Sequence, residues 1–254
     1  MKQACLNCNT PLLGNFCSNC GQDAGTHKIN SHFLWHEIQH GLLHVDKGLF
    51  FTIKELFIRP GHSIREFIDG KRVKHFKPLS LIIVLAGIYG FLSHYYKIDM
   101  FSSNIQINGS GDKYYYAKQT IDNITAWVTE HYAIVALVQL PIFALGTYLG
   151  FKKFGYNFPE HLVINSFLTA QRLILRLIAF PVFYFYNKTQ GLRIATNLVD
   201  LISTLLFIWA LFQLFNRMSK RQRVWRTILS LFISFFIIML LLVAIAAYFA
   251  KTLK

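Results

Sequence analysis

All four cysteines fall within the first twenty residues, as Cys5-x-x-Cys8 and Cys17-x-x-Cys20 with Gly21 after the second pair. Two such pairs make two thiolate knuckles whose sulfurs close a tetrahedral zinc site, and the short connection PLLGNF suits a very small ribbon. A redox dithiol and two disulfides are the competing readings. The first uses one pair inside a larger fold, and the second is reduced in the cytosol. Too few apolar residues surround the cysteines to fold the segment without metal, so the expected zinc is structural. Four protein ligands leave no open position for catalysis, and docking of a protein partner is the expected use of the ribbon.

A second pattern is HEIQH, His36-Glu37-Ile38-Gln39-His40. Zinc proteases of this type use two histidines one helical turn apart as ligands and the glutamate as general base. They also need a third ligand from elsewhere and an open position for water. The third ligand is missing from the local pattern. His44 follows His40 by one turn, and a straight helix cannot wrap three consecutive turns round one tetrahedral ion. Spacing singles out none of Asp46, His62, His75, Glu160 or His161. His32, His36, His40 and His44 recur every fourth residue, so the competing readings are a second metal held without hydrolysis and a stripe packed against headgroups or other helices. No catalytic residue is assigned. A metal-dependent membrane enzyme, protease or hydrolase, using His36, Glu37 and His40 stands as an alternative function.

The third constellation is Gln171, Arg172 and Arg176 in one apolar stretch, with Asp200 in the next. Arg172 and Arg176 are one turn apart on one helix face, and charges inside a membrane are costly unless paired or lining a wet cavity. In an antiparallel pair of helices Asp200 lies level with Arg176. An ion pair fixing helix packing and a binding site for an anion, either a lipid phosphate or an acidic solute, are the two readings. A transporter with Arg172, Arg176 and Asp200 in its path is a further alternative.

The elements that must carry these residues follow from composition. Of 254 residues, 54% are hydrophobic and 15% charged, with long apolar runs in the second half, which is the pattern of a membrane protein. A net charge of +14 also suits nucleic acid. In a membrane protein, however, basic residues gather in cytoplasmic loops beside anionic lipid, so nucleic acid ranks well behind membrane lipids as a partner. Five spans of roughly twenty residues are expected, at about 79–96, 131–151, 161–186, 194–215 and 227–250. The third is the weakest because of its polar residues. The start MKQACLNCN lacks the n-region and h-region of a signal peptide. Lysines and arginines concentrate on the side that holds the N-terminus, including Arg59, Arg65, Lys71, Arg72, Lys152, Lys153, Arg217, Arg223 and Arg226. The expected topology has the N-terminus in the cytosol and the C-terminus on the other side of the membrane.

Between ribbon and first span, a His-rich helix opens at Asn30 or Ser31, followed by the amphipathic stretch KGLFFTIKELFI. Arg59-Pro60-Gly61 breaks that stretch. Ser63 and Glu66 have the spacing of a capping box for a second short helix ending near Gly70. With the basic run KRVKHFKP, this segment is expected to lie on the cytoplasmic leaflet. The organisation is thus 1–25 zinc ribbon, 26–78 His-rich and interfacial helices, and 79–254 transmembrane domain, all-α and polytopic. The loop before the second span is expected to hold a short helix around 116–131.

The two Cys-x-x-Cys pairs, CSNCGQ, the His-rich helix, HVDKGLFFTIKELFIRPGHSIREFIDGKR and HFKPLS come in one order that resembles the DUF3667 family of bacterial membrane proteins, found mostly in Bacteroidota. The likeness is close over roughly residues 1–80 and general beyond. It implies a zinc ribbon fused to an inner-membrane helical domain, and no reaction.

Overall fold

The computed structural model describes residues 4–34, 48–98 and 111–252. Among them the architecture is helical, with two isolated β-bridges in the ribbon, Ala4 with Pro11 and Phe16 with Asp23. The helices are α1 Leu49–Ile58, α2 Pro60–Ile68, α3 Pro78–Tyr95, α4 Asp112–Glu130, α5 Tyr132–Phe151, α6 Phe158–Ile178, α7 Phe180–Phe185, α8 Gln190–Leu214 and α9 Lys220–Thr252. Four of these are long and apolar enough to cross a membrane: α3, α5, α8 and the part of α9 from Lys220 to Val243.

α6 falls outside that set for a physical reason. Its 21 residues reach about 31 Å at ~1.5 Å per residue, close to the ~30 Å of a hydrocarbon core. Yet it is the central helix, packed by α3, α5 and α8 and, around Phe167 and Gln171, by α2 and α1. Thirteen of its residues are buried, among them Asn165, Ser166, Thr169 and Gln171. A helix surrounded by protein can carry polar side chains that a lipid-facing one cannot. It opens on a capping box in which Asn157 and Glu160 bond each other's backbone amides, at 2.8 and 2.7 Å. The single stretch expected at 161–186 is broken: α6 ends at Ile178, and Pro181, in the first turn of α7, starts a short separate helix.

The α1–α2 hairpin packs into the bundle. Arg59-Pro60-Gly61 makes the break, with Pro60 as the first residue of α2. The expected capping box at Ser63 and Glu66 does not form. Ser63 already lies inside the helix, its amide bonded to the Arg59 carbonyl, and its hydroxyl meets His75 Nε2 at 3.0 Å. Glu66 instead takes a bidentate pair from Arg59, at 3.0 and 3.2 Å, while Glu55 holds the same guanidinium from α1. Gly61 sits against the backbone of Ala210 and Leu214 so tightly that no Cβ fits, and its amide donates to Gln213 Oε1 at 3.0 Å. In the last turn of α1, the Leu56 carbonyl, which has no helical partner because residue 60 is proline, accepts from Gln171 Nε2 at 2.6 Å.

Several of the basic residues counted for orientation have a structural task as well. Arg65 donates to the carbonyls of Gln213 and Leu214, Arg223 to Phe212 at 2.8 Å, and Arg226 to Gly150 at 3.2 Å. All four carbonyls belong to the last turn of α5 or α8, where partial negative charge gathers and bonds are missing. The C-terminal ends of α5 and α8 and the N-terminal end of α9 thus form one guanidinium-rich end of the bundle.

α5 and α9 pack through small residues. Gly146 and Gly150, a G-x-x-x-G pair, face Ser230 and Ser234 of α9; a Cβ at Gly146 would overlap the Ser234 hydroxyl, and one at Gly150 would lie 2.8 Å from Ser230 Cβ. In the segment before α5, the helix expected around 116–131 is longer, Asp112–Glu130.

Candidate functional site

The two cysteine knuckles are near copies. In each, the amide of the first cysteine bonds a carbonyl five residues on, Cys5 to Thr10 and Cys17 to Gln22, both near 2.9 Å. The residue after the second cysteine turns the chain with positive φ, 60° at Asn9 and 74° at Gly21. This brings Cys5 Sγ to 3.6 Å from Cys20 Sγ and Cys8 Sγ to 3.5 Å from Cys17 Sγ, with all four sulfurs within 4.8 Å of one another. A disulfide needs about 2.05 Å. Four sulfurs at ~2.3 Å from a tetrahedral zinc stand about 3.8 Å apart, so the arrangement fits a metal. Contacts with Thr10 pull the Cys8 thiol down to about 6 and the Asn7 side chain lowers that of Cys20, whereas burial pushes the Cys5 thiol up to about 11.

The ribbon is seated on the bundle. Gln22 Oε1 accepts from the Arg72 amide at 3.1 Å, Arg72 donates to the His27 carbonyl at 2.9 Å, and Asn157 donates to the Ile29 carbonyl at 3.0 Å. The Arg72 guanidinium lies over the Phe33 and Phe67 rings, at 4.5 and 5.4 Å. Leu6 rests on Gly70, and Ile29 is fully buried. Leu13 and Phe16, between the knuckles, point outward at 78% and 66% exposure.

Asn30 opens the helix that follows, accepting from the Phe33 amide at 2.8 Å. Its helical turn is described from Ser31 to Leu34. His36, Glu37, His40 and His44 lie outside the described residues, as does Asp46. Among the other candidates for a third ligand, His75 and His161 are buried in separate places: His75 between the Phe51 and Phe67 rings, His161 against Tyr148, Tyr156 and Phe215.

The charged residues of α6 and α8 do meet. Arg176 Nη2 donates to Asp200 Oδ1 at 2.7 Å. The pair borders a crevice of about 230 Å³ formed by α5, α6, α8 and α9, far above the ~10–15 Å³ that holds one water. Asn165, Thr169 and Arg172 line it from α6, Asp200, Ser203 and Thr204 from α8, and Phe143, Leu168, Phe207 and Leu231 supply apolar wall. Arg172 has no hydrogen bond or ion pair among the described residues; its Nε is buried without a partner, and its guanidinium lies 5.8 Å from the Phe143 ring. The hydroxyls of Ser203 and Thr204 donate to the carbonyls of Val199 and Asp200, whereas Thr169, one turn before Arg172, has no such bond among the described residues.

The polar residues of α6 form a stripe that single positions did not reveal. His161, Asn165, Thr169, Arg172 and Arg176 are spaced four, four, three and four, which keeps them on one face. Thr147 of α5 accepts from Asn165 Nδ2 at 2.7 Å and lies 3.0 Å from His161 Nδ1, while its own proton goes to the Phe143 or Ala144 carbonyl. His161 Nδ1 must then be the donor to Thr147. This leaves Nε2 as a buried acceptor without a partner. The helical period of these five residues was visible in the sequence, as was the G-x-x-x-G of α5.

Residues 46–90 match the family model described as a protein of unknown function, DUF3667. The resemblance is thereby shown over this segment. The DUF3667 segment comprises α1, the Arg59-Pro60-Gly61 break, α2, the basic connection and the first two thirds of α3. It contains neither the four cysteines nor Arg172, Arg176 and Asp200. No curated protein matches the chain, and no solved structure does.

Proposed function

We propose that this is a non-enzymatic multi-pass protein of the bacterial inner membrane whose helical bundle holds an anionic group at Arg172, under a cytosolic cap made by the DUF3667 hairpin and a zinc-loaded ribbon. The observation that carries this reading is the Arg172 guanidinium, which borders the crevice and has no hydrogen bond or ion pair among the described residues. An arginine in such a place is costly unless something neutralises it, and Asp200, the acid that lines the crevice among the described residues, is taken by Arg176. Zinc is the metal that four thiolates at these spacings suit best, and it serves here to fold the ribbon. α6 makes a fifth crossing, shielded from lipid by its neighbours, which keeps the N-terminus inside and the C-terminus outside. The outward Leu13 and Phe16 give the ribbon a face for a protein partner.

A transporter is the second reading, favoured by one observation: the polar stripe of α6 continues past the crevice to the buried His161. A metal-dependent enzyme using His36, Glu37 and His40 gains no support from the described residues.

Delipidated protein in neutral detergent tests the anion reading by its melting temperature with inorganic phosphate. Wild type should melt higher as phosphate is added, and Arg172→Leu should not respond while melting no lower than wild type without phosphate. A large loss of stability in Arg172→Leu, with no response of wild type, would make Arg172 a structural residue and overturn the reading.

A further inference from the structure

Given an anion site at Arg172, on which this inference rests, we infer that its ligand is the phosphodiester of a membrane lipid, entering sideways between α8 and α9. Three features of the crevice point there.

The first is the shape of its wall. A turn of residues 215–219 joins α8 to α9, after which α9 lies along α5, leaving the crevice bordered by Phe207 on one side and Leu231 on the other. α8 presents Asp200, Ser203, Thr204 and Phe207 on one face, at positions i, i+3, i+4 and i+7. One turn to either side of Leu231, Ile228 and Phe235 are 53% and 62% exposed. A polar floor opening between apolar helix faces suits a ligand with a charged head and hydrocarbon chains. A path for a water-soluble anion would be polar to its mouth.

The second is depth. Arg172 lies six residues before the end of α6, about 9 Å along the axis. Beyond that end come the exposed Tyr184, Phe185 and Tyr186, with Tyr96, the residue after α3, against Tyr184 and Tyr95 next to it, the residue types that mark a membrane interface. Arg172 is therefore within one leaflet of that interface, half of a ~30 Å core. A lipid of that leaflet need only sink its phosphate by about two helical turns.

The third is charge. Arg172, Arg176 and Asp200 together carry one positive charge, and a phosphodiester carries one negative. The Arg172 guanidinium and the unbonded Thr169 hydroxyl supply its donors, and the Arg176–Asp200 pair borders the site on the interface side without using Arg172.

The test uses delipidated full-length protein, wild type, Arg172→Gln and Leu231→Trp, titrated with phosphatidylglycerol, phosphatidylcholine or inorganic phosphate while the melting temperature is read; native mass spectrometry of the same proteins before delipidation counts lipids retained from the membrane. Wild type should retain phospholipid and be stabilised by either lipid. Arg172→Gln should need at least ten times more lipid for the same shift. Leu231→Trp, which narrows the mouth, should lose the lipid response but keep that to inorganic phosphate. Stabilisation of wild type by inorganic phosphate alone would keep the anion site and overturn the lipid assignment. No response to any of the three would remove both. An equal lipid response in wild type and Arg172→Gln would show lipid bound elsewhere and also overturn the inference. Should Leu231→Trp not fold, the comparison of wild type with Arg172→Gln decides alone.

Discussion

Arg176 and Arg172 are one helical turn apart and differ in their partners: Arg176 pairs with Asp200, whereas Arg172 has no hydrogen bond or ion pair among the described residues. Arg176 is mostly buried, its side chain 17% exposed, whereas Asp200 is 50% exposed, so their pair is only partly withdrawn from its surroundings. Asp200→Asn should lower stability by about 1–3 kcal/mol, below the ~3–5 kcal/mol of a fully buried pair, and replacing both residues by leucine should recover much of the loss. Thermal unfolding of the two single variants and the double variant measures the coupling; additive effects would exclude a structural pair. His75 gives a pH dependence. Burial holds its pKa below the ordinary histidine value, against the raising effect of Glu66. With the folded value depressed, the unfolded chain binds the proton more readily. The neutral ring's contribution is present above the unfolded value of ~6.5 and is lost as pH falls through the folded value. The melting temperature should therefore fall between pH 7.5 and 5, and less in His75→Phe; identical pH profiles would show that His75 is not the group responsible.

At the scale of elements, close approach decides the packing. The α5–α9 contact depends on two glycines against two serines. Gly150→Val should force the helices apart, costing about 1–3 kcal/mol by overpacking and exposing the 215–226 connection to protease. Gly87 in α3 has no atom within 4 Å of where a Cβ would stand, so Gly87→Ala should be neutral or slightly stabilising. Equal tolerance at both positions would mean that α5 and α9 do not rely on this contact. The α1–α2 hairpin follows the same logic: its tip glycine lies against α8, and Arg65 from the same hairpin bonds the last carbonyls of that helix.

For the whole molecule, Arg72 joins three parts, bonding the ribbon through Gln22 and His27, stacking on Phe33 and leaning on Phe67 of α2. Purified protein should hold one zinc per chain. Cys17→Ser with Cys20→Ser should abolish it and open residues 1–25 to protease. Arg72→Ala should keep the zinc but admit cleavage between ribbon and α1. Loss of zinc in Arg72→Ala would mean that the ribbon folds only when seated on the bundle. With the five crossings proposed above, a periplasm-specific reporter should be active after Lys254 and inactive after Lys28. The same result at both positions would give an even number of crossings and return α6 to a helix that enters the bundle without crossing.

The sequence by itself determined what depends on local order. Cysteine spacing defined the ribbon, Pro60 and Gly61 the break between two short helices, apolar runs the four helices able to cross a membrane, and one turn of antiparallel geometry the pairing of Arg176 with Asp200. The tertiary structure decided what depends on neighbours distant in the chain. Hydropathy sets α6 apart because of its polar residues, whereas in the fold several of them meet groups on neighbouring elements: Gln171 the Leu56 carbonyl, Asn165 the Thr147 hydroxyl and Arg176 the Asp200 carboxylate. The Ser63 capping box gave way to a proline-led helix start because His75, twelve residues on, takes the serine hydroxyl. That Arg176, and not Arg172, finds an acidic partner among the described residues could not be read from their spacing. It follows from where α8 places a single carboxylate, and from α9 leaving α8 to pack on α5.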